Sequence, residues 1–395
     1  MDARSRVLTR LADLNLSLEP NAHVELGAGA VARLPQALAA VGQRRAFVVT
    51  DRGLRATGIV DRVLDLLREA GIETDLFDGV EPNPSTDSID QAAEQVRQFG
   101  EAAVVAVGGG SALDAAKGIA LLAANPGVAA DYDYRAVPQS PGRPIVAVPT
   151  TAGTGAETNG FGVIEDRTAR CKVYLGHGSV RPRQVILDPE LTLGLPALAT
   201  AATGMDALVH GIESLASRGA NPFSVAYATQ AVTLVADSLV AAVEDGSDLE
   251  ARSRLLVGSH LAGLALSLSG LGLVHGIAHA VTNHCGAPHG LALTSVLDEV
   301  MSRSVPAATG PYAVVATAMG VGSSASSAEE NARAAVRAVR ELADRVQARL
   351  PLRELGLQQD AVAAVARGAL ADAVSSNHPR QFSQAEVEQV LVGAW

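Results

Sequence analysis

The residues best able to do chemistry fall in one stretch of the chain. Of nine histidines, six lie between His210 and His289: His210, His260, His275, His279, His284 and His289. Asp206 and His210 are four residues apart in the run TGMDALVHGIESL, and so are His275 and His279 further on. A spacing of four is one helical turn, so each pair would share a helix face. His289 stands in Ala287-Pro288-His289-Gly290, which reads as a loop. One carboxylate with three imidazoles suits Fe²⁺ or Zn²⁺ and leaves room for a substrate oxygen. Taken singly, each histidine reads as a hydrogen-bonded core residue; the clustering is what points to a metal. Glu213, three residues after His210, is placed to be a supporting partner.

Three glycine- or threonine-rich segments could cradle phosphates. Gly27-Ala28-Gly29-Ala30-Val31-Ala32 fits G-x-G-x-x-A after a short strand, His23–Leu26, and Asp51 follows Ala32 by 19 residues, near where a ribose-binding acid belongs. The plain alternative is a tight turn. The second segment is Gly108-Gly109-Gly110-Ser111, between an apolar strand and a helix carrying Asp114 and Lys117. Glycines there let a pyrophosphate approach the backbone, and the helix N-terminus favours the anion. Ser111 can cap the helix or donate to phosphate, and Lys117 can pair with Asp114. The third, Pro149-Thr150-Thr151-Ala152-Gly153-Thr154-Gly155, also follows an apolar strand, where ligands bind at the carboxyl edge of a parallel sheet.

These segments need a scaffold to hold them. Arg45–Thr50, Thr74–Phe77, Ala102–Val107 and Pro144–Val148 read as strands, and Val60–Ala70, Ser88–Phe99 and Ala112–Ala123 as helices. That alternation predicts parallel βαβ units, a Rossmann-like α/β fold. From about Thr192 helical periodicity takes over. Ser327 with Glu330 forms a capping-box pattern opening a helix over Ala328–Leu350, which Pro351 stops. The boundary falls within Leu187–Pro196, giving an α/β dinucleotide-binding domain over 1–192 and an all-α metal and substrate domain over 193–395.

Composition excludes several other functions. The net charge is −11, so a basic nucleic-acid surface is not expected. One Trp, five Tyr and six Phe give little material for stacking single strands. Two cysteines, Cys171 and Cys285, cannot build a disulfide framework or a cysteine-based zinc site. The uncharged stretch Leu255–Val274 is long enough to cross a bilayer, but its His260, serines and glycines predict a buried core helix ending in a Gly-rich bend. The first residues lead into no apolar signal core, so a cytoplasmic protein without a membrane partner is expected. Lysine occurs only at Lys117 and Lys172.

GGGSALDAAKGIA, PTTAGTGAE, DPELTLGLP, TGMDALVHGIESLAS and GLVHGIAHAVTNHCGAPHG occur in that order. Together they resemble the iron-dependent (group III) alcohol dehydrogenase family, from about Val24 to the C-terminal Trp395. The resemblance implies an N-terminal nucleotide domain, a C-terminal helical domain and an active site in the cleft joining them. It favours the triple glycine over Gly27–Ala32 for pyrophosphate, with Gly108, Gly109, Gly110, Ser111 and Asp114 in the motif. It implies metal ligation by Asp206, His210, His275 and His289, and places His279 near the substrate as a proton carrier rather than a ligand. Thr150, Thr151 and Thr154 match cofactor contacts, and Lys172 matches a lysine reaching the ribose or phosphate. Asp51 after RAFVVT implies NAD(H) over NADP(H), because a carboxylate accepts from a ribose 2′-OH and repels a 2′-phosphate. A homodimer is also implied.

The implied reaction is metal-assisted hydride exchange between a small aldehyde and its primary alcohol. The chain departs from the common family pattern at Leu266, where many members have Phe, and at Ala280, often Pro. The run Thr282-Asn283-His284-Cys285 is more polar than usual, His378 stands at the Asn of an Asn-Pro-Arg segment, and Val374 replaces a cysteine. These changes bear on the substrate and suit a small polar aldehyde, phosphonoacetaldehyde being one candidate. Competing readings are a maleylacetate reductase, against which the full ligand set argues, a dehydroquinate synthase-like lyase, which needs more basic residues, and a non-catalytic binding protein.

Overall fold

The computed structural model describes residues 22–166 and 171–395. They form two compact units, one of residues 22–151 with 156–194, the other of 152–155 with 195–395. Eight strands are present among them: β1 (His23–Leu26), β2 (Arg45–Val49), β3 (Glu73–Phe77), β4 (Ala103–Gly108), β5 (Ile145–Pro149), β6 (Phe161–Asp166), β7 (Cys171–Gly176) and β8 (Gln184–Leu187). Six make a parallel sheet in the order β1-β8-β5-β4-β2-β3. β4 and β5 are buried along their whole length, as their unbroken Val/Ala/Ile runs require of strands covered on both faces. Helices α1 (Leu34–Ala40), α2 (Arg52–Arg55), α3 (Ile59–Glu69), α4 (Thr86–Phe99) and α5 (Gly110–Leu122) connect these strands.

Strand order decides where a ligand can sit. β3 lies beyond β2, whereas β5 and β8 lie beyond β4, so the direction of winding reverses between β2 and β4. The carboxyl ends at this switch point carry Asp51 and Gly108–Gly110, where open α/β sheets bind ligands.

The other glycine turn is already filled. Asp188, fully buried at the end of β8, accepts hydrogen bonds from the backbone N–H groups of Gly29 (3.1 Å), Val31 (3.0 Å) and Glu190 (3.1 Å). The amides of Gly27–Ala32 that a phosphate would need are therefore held by an internal carboxylate.

The antiparallel hairpin β6–β7 is a feature that the alternating pattern does not announce. It is tied to α5 by Asp114 and Lys117. Asp114 accepts from Lys117 Nζ (3.1 Å) and from Val163 N (3.0 Å), and the fully buried Lys117 also donates to Asn159 Oδ1 and the Phe161 carbonyl. Burial pushes the Lys117 amine down, against the pull of Asp114.

The second unit holds α6 (Ala197–Ala216), α7 (Pro222–Glu244), α8 (Leu249–Ser269), α9 (Leu273–Cys285), α10 (His289–Ala318), α11 (Ala328–Arg345), α12 (Val362–Ala371) and α13 (Gln384–Gly393). The apolar stretch 255–274 is divided between α8 and α9, which meet at a bend of 104° over Gly270–Gly272. α7 is long and apolar enough to cross a membrane, yet it carries a buried stripe packed on α6 and α8. The Ser327–Glu330 capping box is formed, but α11 ends at Arg345, not at Leu350. Gln347 adopts φ 56°, and Gln347 N and Ala348 N bond back to the carbonyls of Asp344 and Ala343. A left-handed residue with these two bonds closes a helix without any proline.

Asp188→Ala should lower the stability of the protein in equilibrium urea unfolding by about 3 kcal/mol, because three backbone N–H groups, that of Val31 buried, lose their acceptor. An unchanged midpoint would show that water satisfies those amides equally well.

Candidate functional site

α6 and α9 present the metal-ligating residue types. Asp206, His210 and His275 are all buried, and one donor atom from each lies within 4.8 Å of the others. Asp206 Oδ1 is 3.4 Å from His210 Nε2, 3.6 Å from His275 Nε2 and 3.9 Å from His289 Nε2. Four donors each about 2.1 Å from one ion in tetrahedral array would stand about 3.4 Å apart. Asp206 Oδ1 and His275 Nε2 are buried without a hydrogen-bond partner, which is costly unless something positive joins them. The donor set and its spacing therefore fit a divalent ion of the Fe²⁺ or Zn²⁺ type.

The electrostatics of Asp206 and His210 suit ligation. Burial alone would raise Asp206, but the imidazoles around it outweigh that and hold its carboxyl below the usual carboxylate range. Burial pushes the His210 imidazole down, towards the neutral form a metal requires. The His210 and His275 rings stack with centroids 4.7 Å apart. His289 is the first residue of α10 and does not lie in a loop; Pro288 occupies the N-cap position immediately before it.

Glu213 supports the centre through His275, not through His210. Its Oε2 is 2.6 Å from His275 Nδ1, and the carboxylate also accepts from Gly272 N (3.0 Å) and Val274 N (2.8 Å). Burial opposes its ionisation, but His275 and these contacts hold it below its ordinary value. On His275, burial is likewise outweighed by Asp206 and Glu213, which hold the ring above its ordinary value. Gly272 is required here: a Cβ would lie 2.8 Å from Glu213 Oε1 and 2.9 Å from His378 Nδ1.

His279 sits one turn after His275, and its ring stacks on His289 at 5.3 Å. Its Nδ1 is 2.8 Å from Asp372 Oδ2, a partner that no spacing argument could supply, since 93 residues separate them. Thr282, on the same helical face, keeps its hydroxyl oxygen buried without a partner, whereas Asn283 and His284 are exposed. His378 is buried, accepts from Leu273 N at Nδ1 and meets Ser304 Oγ at 2.8 Å through Nε2; burial pushes it down to about 4. It thus stays neutral and holds the start of α9.

In the α/β unit, Gly108 adopts φ +153°, and a Cβ there would lie 2.7 Å from that of Ala112. Only glycine can make this turn into α5. No side chain caps the helix at Gly109, so its first N–H groups face outwards without a protein acceptor of that kind. Thr151 packs against Gly109, and Thr150 N bonds the Gly108 carbonyl (3.0 Å). Asp51 caps α2 by accepting from Leu54 N (2.9 Å), while its other oxygen is turned towards Gly108.

Ser111 does not cap α5; its hydroxyl donates to the Pro82 carbonyl (2.6 Å). Lys172, half-buried on β7, donates to Asn83 Oδ1 (3.1 Å), and burial pushes its amine down. The turn at Pro82-Asn83 thus holds two of the expected cofactor residues. Its Pro-Asn-Pro sequence was the available signal, and motif reasoning passed it over. Thr154 lies instead in the short segment 152–155 that packs with the helical unit.

Comparison with known proteins places these features. The description "iron-containing alcohol dehydrogenase" matches residues 21–189, and that of the C-terminal domain of the Fe-containing alcohol dehydrogenase family matches residues 200–395. The NAD-dependent methanol dehydrogenase of Bacillus methanolicus is 34% identical over 93% of this chain and 97% of its own. A solved 1,3-propanediol oxidoreductase superposes with a TM-score of 0.92 at 34% identity, covering 96% of this chain and all of its own. The sulfoacetaldehyde reductase of Bifidobacterium kashiwanohense, solved with NAD⁺, gives a TM-score of 0.87 at 28% identity, covering 96% and 99%.

Glu213→Gln keeps the shape of the side chain and removes its charge. It should weaken Zn²⁺ or Fe²⁺ affinity roughly 10- to 100-fold in chelator competition, the usual cost of losing an outer carboxylate behind a ligating histidine. Affinity equal to that of the unaltered protein would mean that His275 needs no such support.

Proposed function

The chain belongs to the iron-containing alcohol dehydrogenase family, and on that premise we propose that it interconverts a small polar aldehyde and its primary alcohol with NAD(H), at a divalent metal held by Asp206, His210, His275 and His289. The observation that carries this reading is the convergence of the buried Asp206, His210 and His275, with Asp206 Oδ1 and His275 Nε2 left without a hydrogen-bond partner. An inert binding protein of this fold gives no reason to maintain that cost, and the lyase reading needs more basic residues than the two lysines, Lys117 and Lys172, supply. When bound, the ion supplies Lewis acidity at the substrate oxygen and the nicotinamide supplies or takes the hydride.

The chain's own residues do the rest. Glu213 fixes the His275 ring so that Nε2 faces Asp206. His279, with Nδ1 committed to Asp372, has Nε2 left to exchange a proton with the substrate oxygen, directly or through the cofactor ribose. The N-terminus of α5 at Gly108–Gly110 receives the pyrophosphate, flanked by Ser111, Thr150 and Thr151. The free oxygen of Asp51 accepts from the adenosine ribose and disfavours NADP(H). Asp114 acts by tying the β6–β7 hairpin, which carries Lys172, to α5. Assembly as a cytoplasmic homodimer belongs to the same reading.

Relatives named for 1,3-propanediol and for sulfoacetaldehyde, an anionic two-carbon aldehyde, support a substrate with a second polar group. Phosphonoacetaldehyde is our specific candidate.

The test is NADH oxidation with protein loaded anaerobically with Fe²⁺ and the same protein after chelation. The panel contains phosphonoacetaldehyde, maleylacetate, a hydroxyaldehyde and propanal. Turnover is expected to need the metal, to favour NADH over NADPH and to favour polar aldehydes. Equal kcat/KM on phosphonoacetaldehyde and propanal would remove the anionic substrate. No turnover on any aldehyde despite bound iron would overturn the dehydrogenase reading itself.

A further inference from the structure

The stretch Asp372–His378 connects α12 to the last part of the chain, and four of its side chains hold α9 and the bend before it. Ser375 packs over Gly276 and donates to the Ala369 carbonyl. Asn377 Nδ2 donates to the carbonyls of Ser269 and Leu271, both at 2.8 Å, and so satisfies the exposed backbone of the α8–α9 bend. His378 receives Leu273 N. Asp372 reaches furthest along α9, to His279 Nδ1.

Asp372 is itself rigidly held. Its N–H closes α12 on the Gly368 carbonyl, and its Oδ1 caps the following 3₁₀ turn (Ala373–Asn377) by accepting from Val374 N (3.1 Å). The second oxygen is therefore aimed by the backbone. Both partners are largely enclosed, with side-chain exposures of 14% for His279 and 15% for Asp372. The His279 ring has a second constraint in its stack on His289, with planes 19° apart.

We propose that Asp372 is the positioning residue for His279: by accepting Nδ1–H it selects one tautomer and one ring orientation, leaving Nε2 as the only nitrogen able to exchange a proton with the substrate oxygen. This rests on the preceding reading of His279 as the proton carrier. In alcohol oxidation Nε2 takes the hydroxyl proton, and in aldehyde reduction it returns one; the Nδ1 proton stays on the ring throughout, held towards Asp372 Oδ2. The logic is that of a carboxylate orienting a catalytic imidazole from behind. The geometry also explains why the 3₁₀ turn begins at an aspartate. Ser or Asn would cap it equally well, but neither is an acceptor-only group towards an imidazole.

That distinction supplies the test. Asp372→Asn preserves the cap but can present an amide N–H to His279 Nδ1, which favours the wrong tautomer. Asp372→Ala removes both functions. These variants, His279→Ala and the His279→Ala/Asp372→Ala double variant are made in the full-length, iron-loaded enzyme. Metal content and thermal melting check integrity. Asp372→Asn is expected to lower kcat roughly 10- to 100-fold while the melting temperature and the KM for NADH stay within error. Asp372→Ala should lower kcat likewise in the parent enzyme and hardly further in the His279→Ala background, since residues acting as one unit are not additive. Independently of turnover, ¹⁵N spectra of histidine-labelled protein should show His279 protonated at Nδ1 in the parent and not in Asp372→Asn.

A fully active Asp372→Asn enzyme would reduce Asp372 to a helix cap and overturn the proposal. Equal losses from Asp372→Ala in both backgrounds, or an Nε2-protonated His279 in the parent, would do the same. An unimpaired His279→Ala enzyme would instead remove His279 as proton carrier, a failure of the earlier reading that the ¹⁵N spectra keep separate from the Asp372–His279 pairing itself.

Discussion

One buried carboxylate orders the cluster around Asp206. Glu213 leaves α6 one turn after His210 and reaches the start of α9, where it accepts from two backbone N–H groups and from His275 Nδ1. An ionised acid at a helix N-terminus meets both unsatisfied amides and the positive end of the helix dipole. The same contact turns the His275 ring so that its other nitrogen faces Asp206. Since Asp206 and His210 also lie on α6, a single interaction ties together the two helices that carry Asp206, His210 and His275. The close approach leaves no space for a side chain at position 272, and the glycine there follows from the carboxylate.

The two glycine turns obey one physical rule with opposite outcomes. Each offers backbone N–H groups at the start of a helical turn, and such groups must find a negative partner. At Gly29–Val31 the partner is internal, Asp188, and the turn becomes part of the core of the α/β unit. At Gly108–Gly110 the N-cap residue, Gly109, makes no side-chain cap, and the turn stands at the switch point of the sheet. Acids elsewhere serve structure as well as sites: Asp51 caps α2 with one oxygen, and Asp114 spends both on the hairpin and Lys117.

Motif order identified the family, and spacing identified the helix-borne pairs, because one turn of helix brings residues four apart together whatever the rest of the fold does. Buried parallel strands were equally legible, since only apolar, β-branched runs can be covered on both faces. Helix ends and long-range partners are of another kind. The helix expected to run to Leu350 ends at Arg345 because Gln347 takes a left-handed conformation that sequence patterns assign to glycine. Glu213 was placed near the centre by its spacing from His210, yet its partner proved to be His275, 62 residues away.

The sequence by itself therefore determined the family, the α/β and helical halves, and the residue types at the metal and nucleotide positions. Those follow from local periodicity and from ordered motifs. Tertiary structure decided which carboxylate stands behind which imidazole, which glycine turn is already filled, and that residues 372–378 clamp α9. These are pairings between distant segments, made by side chains whose directions depend on packing, and no spacing along the chain encodes them. Asp372 and His279 show the difference: each is ordinary in its own segment, and only the fold places a carboxylate oxygen 2.8 Å from the ring nitrogen.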